Sequence, residues 1–347
     1  MTVRPQDPTD LARQLDHIER DGGTGDLTIG RKGTLHVSSL GKPYFANGVT
    51  KGALMRYYAS VWPALAPHVR DRPLVLKRYP DGASGPMFFQ QNAGDVPDVV
   101  RVETVDTRDE GRKARIVGGD LATLLYTVQI GSIEVHPWLS RVTDVDSTDR
   151  CLIDLDPGDD VLFFNVVALA RDILDIIHAC GLKAGVKTSG SSGIHLVIPL
   201  PPGIGYDTSA ELAMSVARVA AVRAPERATV ERSLSARPAG TIYVDPMQNA
   251  RGKSMACAYS VRAKEGAPVS APVRERELTK RLRLTAFTVK TMPRRVSRVG
   301  DLWGEALTPV PAKRSIARAL QALGRMLDDA PVASKPPRGL KRRQSRG

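Results

Sequence analysis

Residues 151–158 constrain this chain most, because they place two acids in a run that is otherwise apolar and β-favouring. The run breaks at Pro157 and Gly158, which predicts a buried strand that ends in a turn. Side chains alternate between the faces of a strand, so we expect Asp154 and Asp156 on one face, roughly 6.6 Å apart along the chain. Carboxylates this close repel each other, so either one is protonated or a cation lies between them. Mg²⁺ or Mn²⁺ suits these oxygen ligands, and two aspartates that cap a turn are the equally weighted alternative.

A second β-rich run, residues 240–246, also ends in an aspartate and a proline, Asp245 and Pro246. If the two strands are neighbours, Asp245 completes a cluster of three carboxylates. Such a cluster can hold two metal ions roughly 3.5–4 Å apart, the arrangement used for phosphoryl or nucleotidyl transfer. Between them, residues 186–199 predict a strand, a Gly/Ser loop and a strand that carries His195. Glycines let backbone N–H groups approach phosphates and serines add donors, which makes a candidate triphosphate cradle. A plain hairpin with a flexible turn is the alternative, and the loop alone favours it.

These elements, in this order and with these flanks, resemble the polymerase domain of bacterial ligase-D enzymes, in the archaeo-eukaryotic primase superfamily. The resemblance covers residues 33–307. Its further motifs are Gly48-Val49-Thr50-Lys51-Gly52, Lys77-Arg78-Tyr79-Pro80-Asp81-Gly82, Phe88-Phe89, Ile133-Glu134-Val135-His136-Pro137-Trp138, Thr188-Ser189-Gly190, Gln248-Asn249 and Tyr259-Ser260-Val261-Arg262. It implies an α/β (α+β) fold, with a mixed-sheet primase-polymerase core and an N-terminal α/β lobe. Strands that alternate with helices independently indicate an α/β fold.

The resemblance implies a metal-dependent nucleotidyltransferase that extends DNA 3′ ends with (ribo)nucleotides, to fill short gaps or process ends in repair. Asp154, Asp156 and Asp245 would be the catalytic residues and the ligands of two Mn²⁺ or Mg²⁺ ions. The residues implied to contact an NTP or dNTP substrate are His136, Ser189, His195, Gln248, Lys253 and Arg262. Without the motif, His136 would be a core imidazole. Ser192 stands where many members of the family carry a lysine, which removes one charge near the phosphates.

DNA contacts are also implied by the resemblance, for Lys42, Lys51, Lys77, Arg78, Phe88 and Phe89. Lys42 and Lys51 would bind the 5′-phosphate across a gap, and the phenylalanines would stack on template bases. Adjacent residues on a strand point to opposite faces, so we expect one phenylalanine ring in the core and only one on DNA.

Composition favours a nucleic-acid partner without proving it. The chain has 347 residues, 42% of them hydrophobic, enough for a large core. A net charge of +13 favours a polyanion, but charge alone does not separate nucleic acid from a membrane surface. The three cysteines lack metal-site spacing and fit a reducing cytosol. No signal peptide is visible, and charges interrupt the apolar run at 161–180, so we expect a cytoplasmic, nucleoid-associated protein with no membrane partner.

The predicted organisation is an accessory N-terminal extension at 1–30, a catalytic domain at 31–310, a C-terminal helix at 311–330 and a disordered basic tail at 331–347. The expected partners are gapped or broken duplex DNA with a 5′-phosphate, a separate ATP-dependent DNA ligase and the Ku end-binding protein, and the expected state is a monomer. Two alternatives stay open. A metal-dependent nuclease would use similar acids without a triphosphate cradle, and a catalytically idle DNA-end-binding module would not need three acids. A covalent ligase is disfavoured, since Lys77 and Asp81-Gly82 are spaced K-x-x-x-D-G rather than K-x-D-G.

Overall fold

The N-terminal part of the chain surrounds one long helix. The computed structural model describes residues 7–30, 33–107 and 109–329, so the predicted basic tail lies outside them. Thr50 caps the long helix, because its Oγ accepts from the Ala53 N–H at 3.0 Å. The elements of this part are α1 (Pro8–Arg20), β1 (Gly25–Thr28), β2 (Thr34–Val37), α2 (Lys51–Val69), β3 (Leu74–Arg78), β4 (Phe88–Gln90), β5 (Val102–Thr107), β6 (Gly111–Ile116), α3 (Leu121–Gln129) and β7 (Ser132–Pro137).

These strands form a three-stranded sheet of order β4-β3-β7 and two separate hairpins, β1-β2 and β5-β6. Helix α1 packs on α2, where Arg56 pairs with Glu19 and with Asp16, the latter at 3.2 Å. The Thr50 hydroxyl donates to Glu19 at 2.9 Å. The N-terminal helix is therefore fixed to the start of α2 by polar contacts.

The second part of the chain forms a six-stranded mixed sheet with helices on one face. Its strand order is β11-β12-β8-β10-β9-β13, in which only β11 and β12 are parallel. Helices α4 and α5 cover one face and α8 packs on α5. The elements are β8 (Arg150–Pro157), α4 (Phe163–Ala179), β9 (Gly185–Thr188), β10 (Ile194–Pro199), α5 (Tyr206–Arg223), β11 (Ala228–Thr229), β12 (Ile242–Asp245), β13 (Pro272–Val273), α6 (Met292–Val299), α7 (Leu302–Ala306) and α8 (Lys313–Asp328).

The alternation along β8 decides which side chains face the helices. The thiol of Cys151 reaches the Ser209 carbonyl of α5 at 3.4 Å, so the odd-numbered residues face the helices. Asp154 and Asp156 therefore project from the opposite face, toward β7. Within the described residues, no helix is long and apolar enough to cross a membrane.

Candidate active site

A row of polar side chains crosses the face of the six-stranded sheet that the helices leave open. Four neighbouring strands each contribute one residue to this row. Asp245 on β12 is paired in register with Asp154 on β8, Asp154 is paired with His195 on β10, and His195 is paired with Lys187 on β9. Partners in antiparallel strands share a face. Asp156 lies two residues beyond Asp154 on the same face. The expectation that the strands ending in Asp156 and Asp245 are neighbours is confirmed.

The carboxylates of this row raise the pKa of the central one. Burial, and then the negative charges of Asp245 and Asp156, raise the pKa of Asp154 to about 7. Asp156 forms an ion pair with Arg237, whose Nη1 lies 3.4 Å from Oδ2 of the carboxylate. Asp245 accepts from the Met247 N–H at 2.7 Å, and more weakly from Tyr243 and Gln248. The negative charge at the centre of the row is thus incompletely balanced by the chain itself.

The donor set fits a hard divalent cation, because carboxylate oxygens are the ligands that Mg²⁺ and Mn²⁺ prefer. The raised pKa of Asp154 reflects the charge that such a cation would balance. Across residues 7–30, 33–107 and 109–329, however, no three His, Cys, Asp or Glu side chains are arranged to hold a metal ion. Asp156 faces Arg237 and Asp245 faces the Met247 N–H. A cation at the row would therefore share these carboxylates with their present partners.

A cavity of about 260 Å³ lies over the row. The side chains and loop residues around it are His136, Asp154, Leu155, Asp156, Ser189, Ser191, Ser192, Gly193, His195, Gln248, Ser254, Met255, Ala256 and Arg262. Asp154 and Asp156 thus supply acids on one side and Arg262 supplies a cation on the other, whereas Asp245 is not part of this lining. Of the residues predicted to contact nucleotide, only Lys253 is absent from this lining. Its side chain is exposed to solvent.

The Gly/Ser loop between β9 and β10 is held close to its neighbours by two glycines. A Cβ at Gly193 would collide with the Leu155 carbonyl oxygen of β8, and one at Gly190 would lie 2.7 Å from Cγ of Arg262. Gly190 also has a φ of +71°, which disfavours a larger residue. The Oγ of Ser189 accepts from the N–H groups of Ser191 and Gly193, both at 3.0 Å. Those two N–H groups, expected to approach phosphates, are therefore used within the loop.

Glu134 on β7 organises the opposite wall, a role that the sequence analysis did not assign. Its carboxylate accepts from Arg262 Nε and His136 Nε2 at 2.8 Å, and from Lys77 at 3.2 Å. Burial acts to raise the pKa of Glu134, but the His136 hydrogen bond and the charges of Arg262 and Lys77 hold it well below its usual value. Arg262 is further fixed by the Ser189 carbonyl at 2.6 Å. The sequence signal that could have indicated this role is an acidic residue between Ile133 and Val135, in a strand that is otherwise apolar.

His195 is enclosed between the acids and a buried lysine. Its Nε2 lies 3.4 Å from Oδ1 of Asp154, and its Nδ1 contacts Nζ of Lys187. Burial and the Lys187 charge lower the pKa of His195 well below its usual value, and burial lowers that of Lys187 to about 7. His136 is also held neutral, because burial lowers its pKa against the effect of Glu134.

Comparison with known proteins identifies the family of proteins that share these features. Residues 50–303 match the family model described as LigD, primase-polymerase domain. The chain belongs to the LigD primase-polymerase domain family. The solved polymerase domain from Mycobacterium tuberculosis ligase D in complex with DNA matches with a TM-score of 0.73 and 30% identity, over 80% of this chain and 99% of that one. The predicted family, the mixed-sheet fold and the nucleotidyltransferase class are confirmed, and the family is metal-dependent.

Curated members of the LigD family are longer proteins. The multifunctional non-homologous end joining protein LigD of Pseudomonas aeruginosa is 32% identical over 260 residues, which are 74% of this chain and 31% of that protein. The corresponding DNA repair protein of M. tuberculosis is 32% identical over 304 residues, 85% of this chain and 38% of that protein. The chain thus spans about a third of the length of these curated relatives.

The two lysines predicted to bind a 5′-phosphate in this LigD-family chain already have protein partners. Lys42 donates to the Pro80 carbonyl at 2.8 Å and pairs with Asp81 at 3.2 Å. Lys51 is buried, donates to the Ser38 carbonyl at 2.8 Å, and has a pKa lowered by burial and by the charge of Lys42. Both cations are therefore already held by oxygen atoms of the chain.

The expectation for the phenylalanine pair is wrong in one respect. Phe88 is 45% exposed and Phe89 60% exposed, so neither ring enters the core. The reason is that β4 is a three-residue strand at the sheet edge, with no layer packed over either side. The guanidinium of Arg78 lies 5.0 Å from the Phe88 ring centroid. Lys77 instead turns to Glu134, toward the cavity.

Proposed function

We propose that this chain is a primase-polymerase that adds ribonucleotides or deoxyribonucleotides to DNA 3′ ends, to fill short gaps or process ends in repair. The single observation that carries the proposal is a cavity with Asp154 and Asp156 on one side and Arg262 and His136 on the other, with Asp245 paired to Asp154 on the neighbouring strand. Acids that bind cations, placed across from donors that bind a triphosphate, are the two halves that nucleotidyl transfer needs.

Asp154, Asp156 and Asp245 would hold the Mn²⁺ or Mg²⁺ ions. Ions held there would lower the pKa of the primer 3′-hydroxyl and balance the charge of the triphosphate and the leaving pyrophosphate. The strand register brings the carboxylates of Asp154 and Asp245 side by side.

Arg262 is proposed as the main phosphate ligand, since a planar guanidinium matches phosphate oxygens. Its orientation is already fixed by Glu134 and by the Ser189 carbonyl, so little side-chain entropy is lost on binding. His195 and the Ser189 hydroxyl would add donors to the phosphates. Gln248 lies by Asp245, where it can contact the sugar, and a 2′-hydroxyl contact would favour ribonucleotides.

Gapped or broken duplex DNA is the proposed second substrate. The solved M. tuberculosis domain was obtained with DNA, and the exposed rings of Phe88 and Phe89 suit stacking on template bases, worth roughly 1–3 kcal/mol per base. Arg78 would approach the backbone beside them. Lys42 and Lys51 would bind the 5′-phosphate beyond the gap.

End joining is the proposed context, because the curated relatives carry that name. In it a separate ATP-dependent DNA ligase would seal the filled end, and the Ku protein would present it. The chain would act in the nucleoid as a monomer, with a catalytic domain at 31–310 between its N-terminal helix and C-terminal helix.

Primer extension on labelled duplexes with a short gap tests this function. We expect extension that needs Mn²⁺ or Mg²⁺, and a preference for ribonucleotides of roughly tenfold from one lost hydrogen bond with deoxyribonucleotides. A downstream 5′-phosphate should be preferred to a 5′-hydroxyl, and Lys42→Ala should reduce that preference while open primer-templates are still extended. No extension with either metal, or loss of labelled DNA without nucleotides, would overturn the proposal.

A further inference from the structure

One stretch of the chain concentrates positive charge that the proposed chemistry does not use. Residues 274–298 contain nine Lys or Arg residues and two Glu residues, which gives a net charge of +7 out of the +13 of the whole chain. This basic segment follows β13 and consists of two 3₁₀ turns, Glu275–Glu277 and Leu284–Ala286, and most of helix α6.

Arg295 joins the three parts of the basic segment into one surface. Its guanidinium donates to Glu277 in the first turn at 2.6 Å and to the Pro272 carbonyl of β13 at 3.3 Å. The same group lies 5.1 Å from the ring centroid of Phe287, which ends the second turn. The cations that the two turns and α6 expose are therefore held on a single folded unit.

Six cations of the segment remain exposed after its internal contacts are counted. Arg274 pairs with Glu305 at 3.3 Å, and Arg283 donates to two backbone carbonyls of its own turn. Glu275 lies 3.3 Å from His178. No carboxylate within residues 7–30, 33–107 and 109–329 forms an ion pair with the remaining cations. These six exposed residues are Arg276, Lys280, Arg281, Lys290, Arg294 and Arg298.

The apolar side chains of the basic segment face inward. Leu278, Phe287 and Met292 are buried, and no large hydrophobic side chain of this segment is exposed. On α6, Arg294 and Arg298 lie one turn apart, on the face away from Met292. A protein surface that binds a membrane inserts apolar side chains beside its cations. The segment instead fits a partner that offers anionic groups alone.

The basic segment adjoins the hairpin that carries Arg262. Val261 bridges Val269, and the Val269 N–H donates to the Phe287 carbonyl at 2.9 Å. Neighbouring strands are about 4.8 Å apart, so the backbone of Phe287 lies about 10 Å from that of Val261. The basic surface thus continues outward from the cavity wall that holds Arg262, and none of its residues lines the cavity.

We propose that the six exposed cations of the basic segment bind the phosphate backbone of the duplex DNA that flanks the gap or break. The inference rests on the proposed function, because it takes gapped or broken duplex DNA as the substrate. A duplex presents phosphates at regular intervals along its length, which suits cations spread over two turns and a helix. Contacts to phosphates position a protein on DNA without reading its sequence.

Fluorescence anisotropy with a labelled blunt duplex that has 5′-hydroxyl ends, without metal or nucleotide, tests this surface. Arg294→Gln/Arg298→Gln removes two charges and keeps residues that favour a helix. Each phosphate contact contributes about 0.9 to the slope of log K against log salt concentration, so the slope should become shallower by about 1.8. The affinity at 0.1 M salt should fall roughly 10- to 100-fold. Lys280→Gln/Lys290→Gln, which leaves α6 unchanged, should have a similar effect.

The matched control is Arg314→Gln/Arg318→Gln, which removes two exposed arginines with the same spacing from α8, the helix that packs on α5. It should leave the slope unchanged. All variants keep residues 331–347, so the basic tail contributes equally to each. An unchanged slope in both segment variants, or an equal change in the control, would overturn the proposal. Phosphatidylserine vesicles that bind the wild type but neither segment variant, with DNA binding unchanged, would overturn it in favour of a membrane.

Failure of the proposed function gives a different result. A wild-type chain that extends no primer refutes the polymerase, whereas the salt dependence is measured without any reaction and is decided independently. If the chain does extend primers, Arg294→Gln/Arg298→Gln should raise the KM for a gapped duplex and leave the KM for ATP unchanged, because the basic segment lies outside the cavity. A raised KM for ATP alone would contradict the assignment.

Discussion

Glu134 on β7 and Asp154 on β8 are both mostly buried carboxylates, Asp154 in the lining of the cavity and Glu134 behind Arg262 and His136 of that lining, but their surroundings are opposite in charge. The side chain of Glu134 is 2% exposed and its oxygens accept from Arg262, His136 and Lys77. The side chain of Asp154 is 24% exposed and has Asp245 and Asp156 as charged neighbours. The pKa of Glu134 is accordingly held well below its usual value, and that of Asp154 is raised to about 7.

This difference corresponds to two different roles. Glu134 supports other side chains, and Asp154 belongs to the proposed reaction centre. Glu134 is balanced by cations of the chain, so it keeps Arg262 and His136 in place without any ligand. Asp154 is balanced only when something positive is added, as expected of a group that meets a cation during the reaction. One wall is thus prepared for an anion and the other for a cation. Substitutions that remove a charge should act oppositely on the two walls.

The largest effect is expected from the carboxylate row. Asp154→Asn, Asp156→Asn and Asp245→Asn should each reduce primer extension by at least about 100- to 1,000-fold, since each removes a charge where the transition state needs a cation. DNA affinity, measured by fluorescence anisotropy, should change little. The matched control is Asp159→Asn, an exposed acid just beyond the strand. Extension at more than a tenth of the wild-type rate by any variant of the row would remove that residue from the site.

The sequence predicts the acid row well and the opposite wall poorly. Asp154, Asp156 and Asp245 are recognisable because acids interrupt apolar strands, and strand periodicity then fixes their face. The partners of Glu134 cannot be predicted in this way, because Arg262 lies 128 residues further along the chain. Tertiary packing, not local pattern, brings these groups together.

The phenylalanine pair shows a different limit. Alternation along a strand predicts opposite faces for Phe88 and Phe89, and that geometry does not fail. The expectation failed because it assumed that one face of the strand is covered, whereas β4 is a short edge strand with both rings exposed. Which layer covers a strand is a property of the whole fold.

The second prediction concerns Glu134. Glu134→Gln keeps the shape of the side chain but leaves Arg262 and Lys77 without their common counter-charge in a buried site. Breaking a buried charge network of this kind should lower the free energy of unfolding by about 3 kcal/mol, measured by urea denaturation. It should also raise the KM for nucleotide, because Arg262 loses one of its two fixed contacts.

The control for this variant is Glu265→Gln, an exposed acid three residues after Arg262. It should leave the free energy of unfolding within about 0.5 kcal/mol of the wild type. If Glu134→Gln is equally harmless, the balance around Glu134 is not what holds the anion-binding wall, and the comparison between the two walls fails on that side.

The smallest effect, and the most specific, is the pH dependence of Asp154. Its pKa is raised to about 7 in the folded chain, against roughly 3.9 when unfolded, so the folded state holds a proton that the unfolded state has lost between those values. The wild type therefore loses stability from this group as the pH rises from about 4 through about 7. Asp154→Asn has no such proton. With a chelator present, its free energy of unfolding relative to the wild type should increase by about 3 kcal/mol between pH 4.5 and pH 7.5. Asp159→Asn should show no such change.

Adding Mn²⁺ at pH 7.5 should then stabilise the wild type more than Asp154→Asn, because the ion supplies the positive charge that the three carboxylates lack. A difference between variant and wild type that is the same at both pH values, and indifferent to Mn²⁺, would mean that the acid row is balanced by the chain after all.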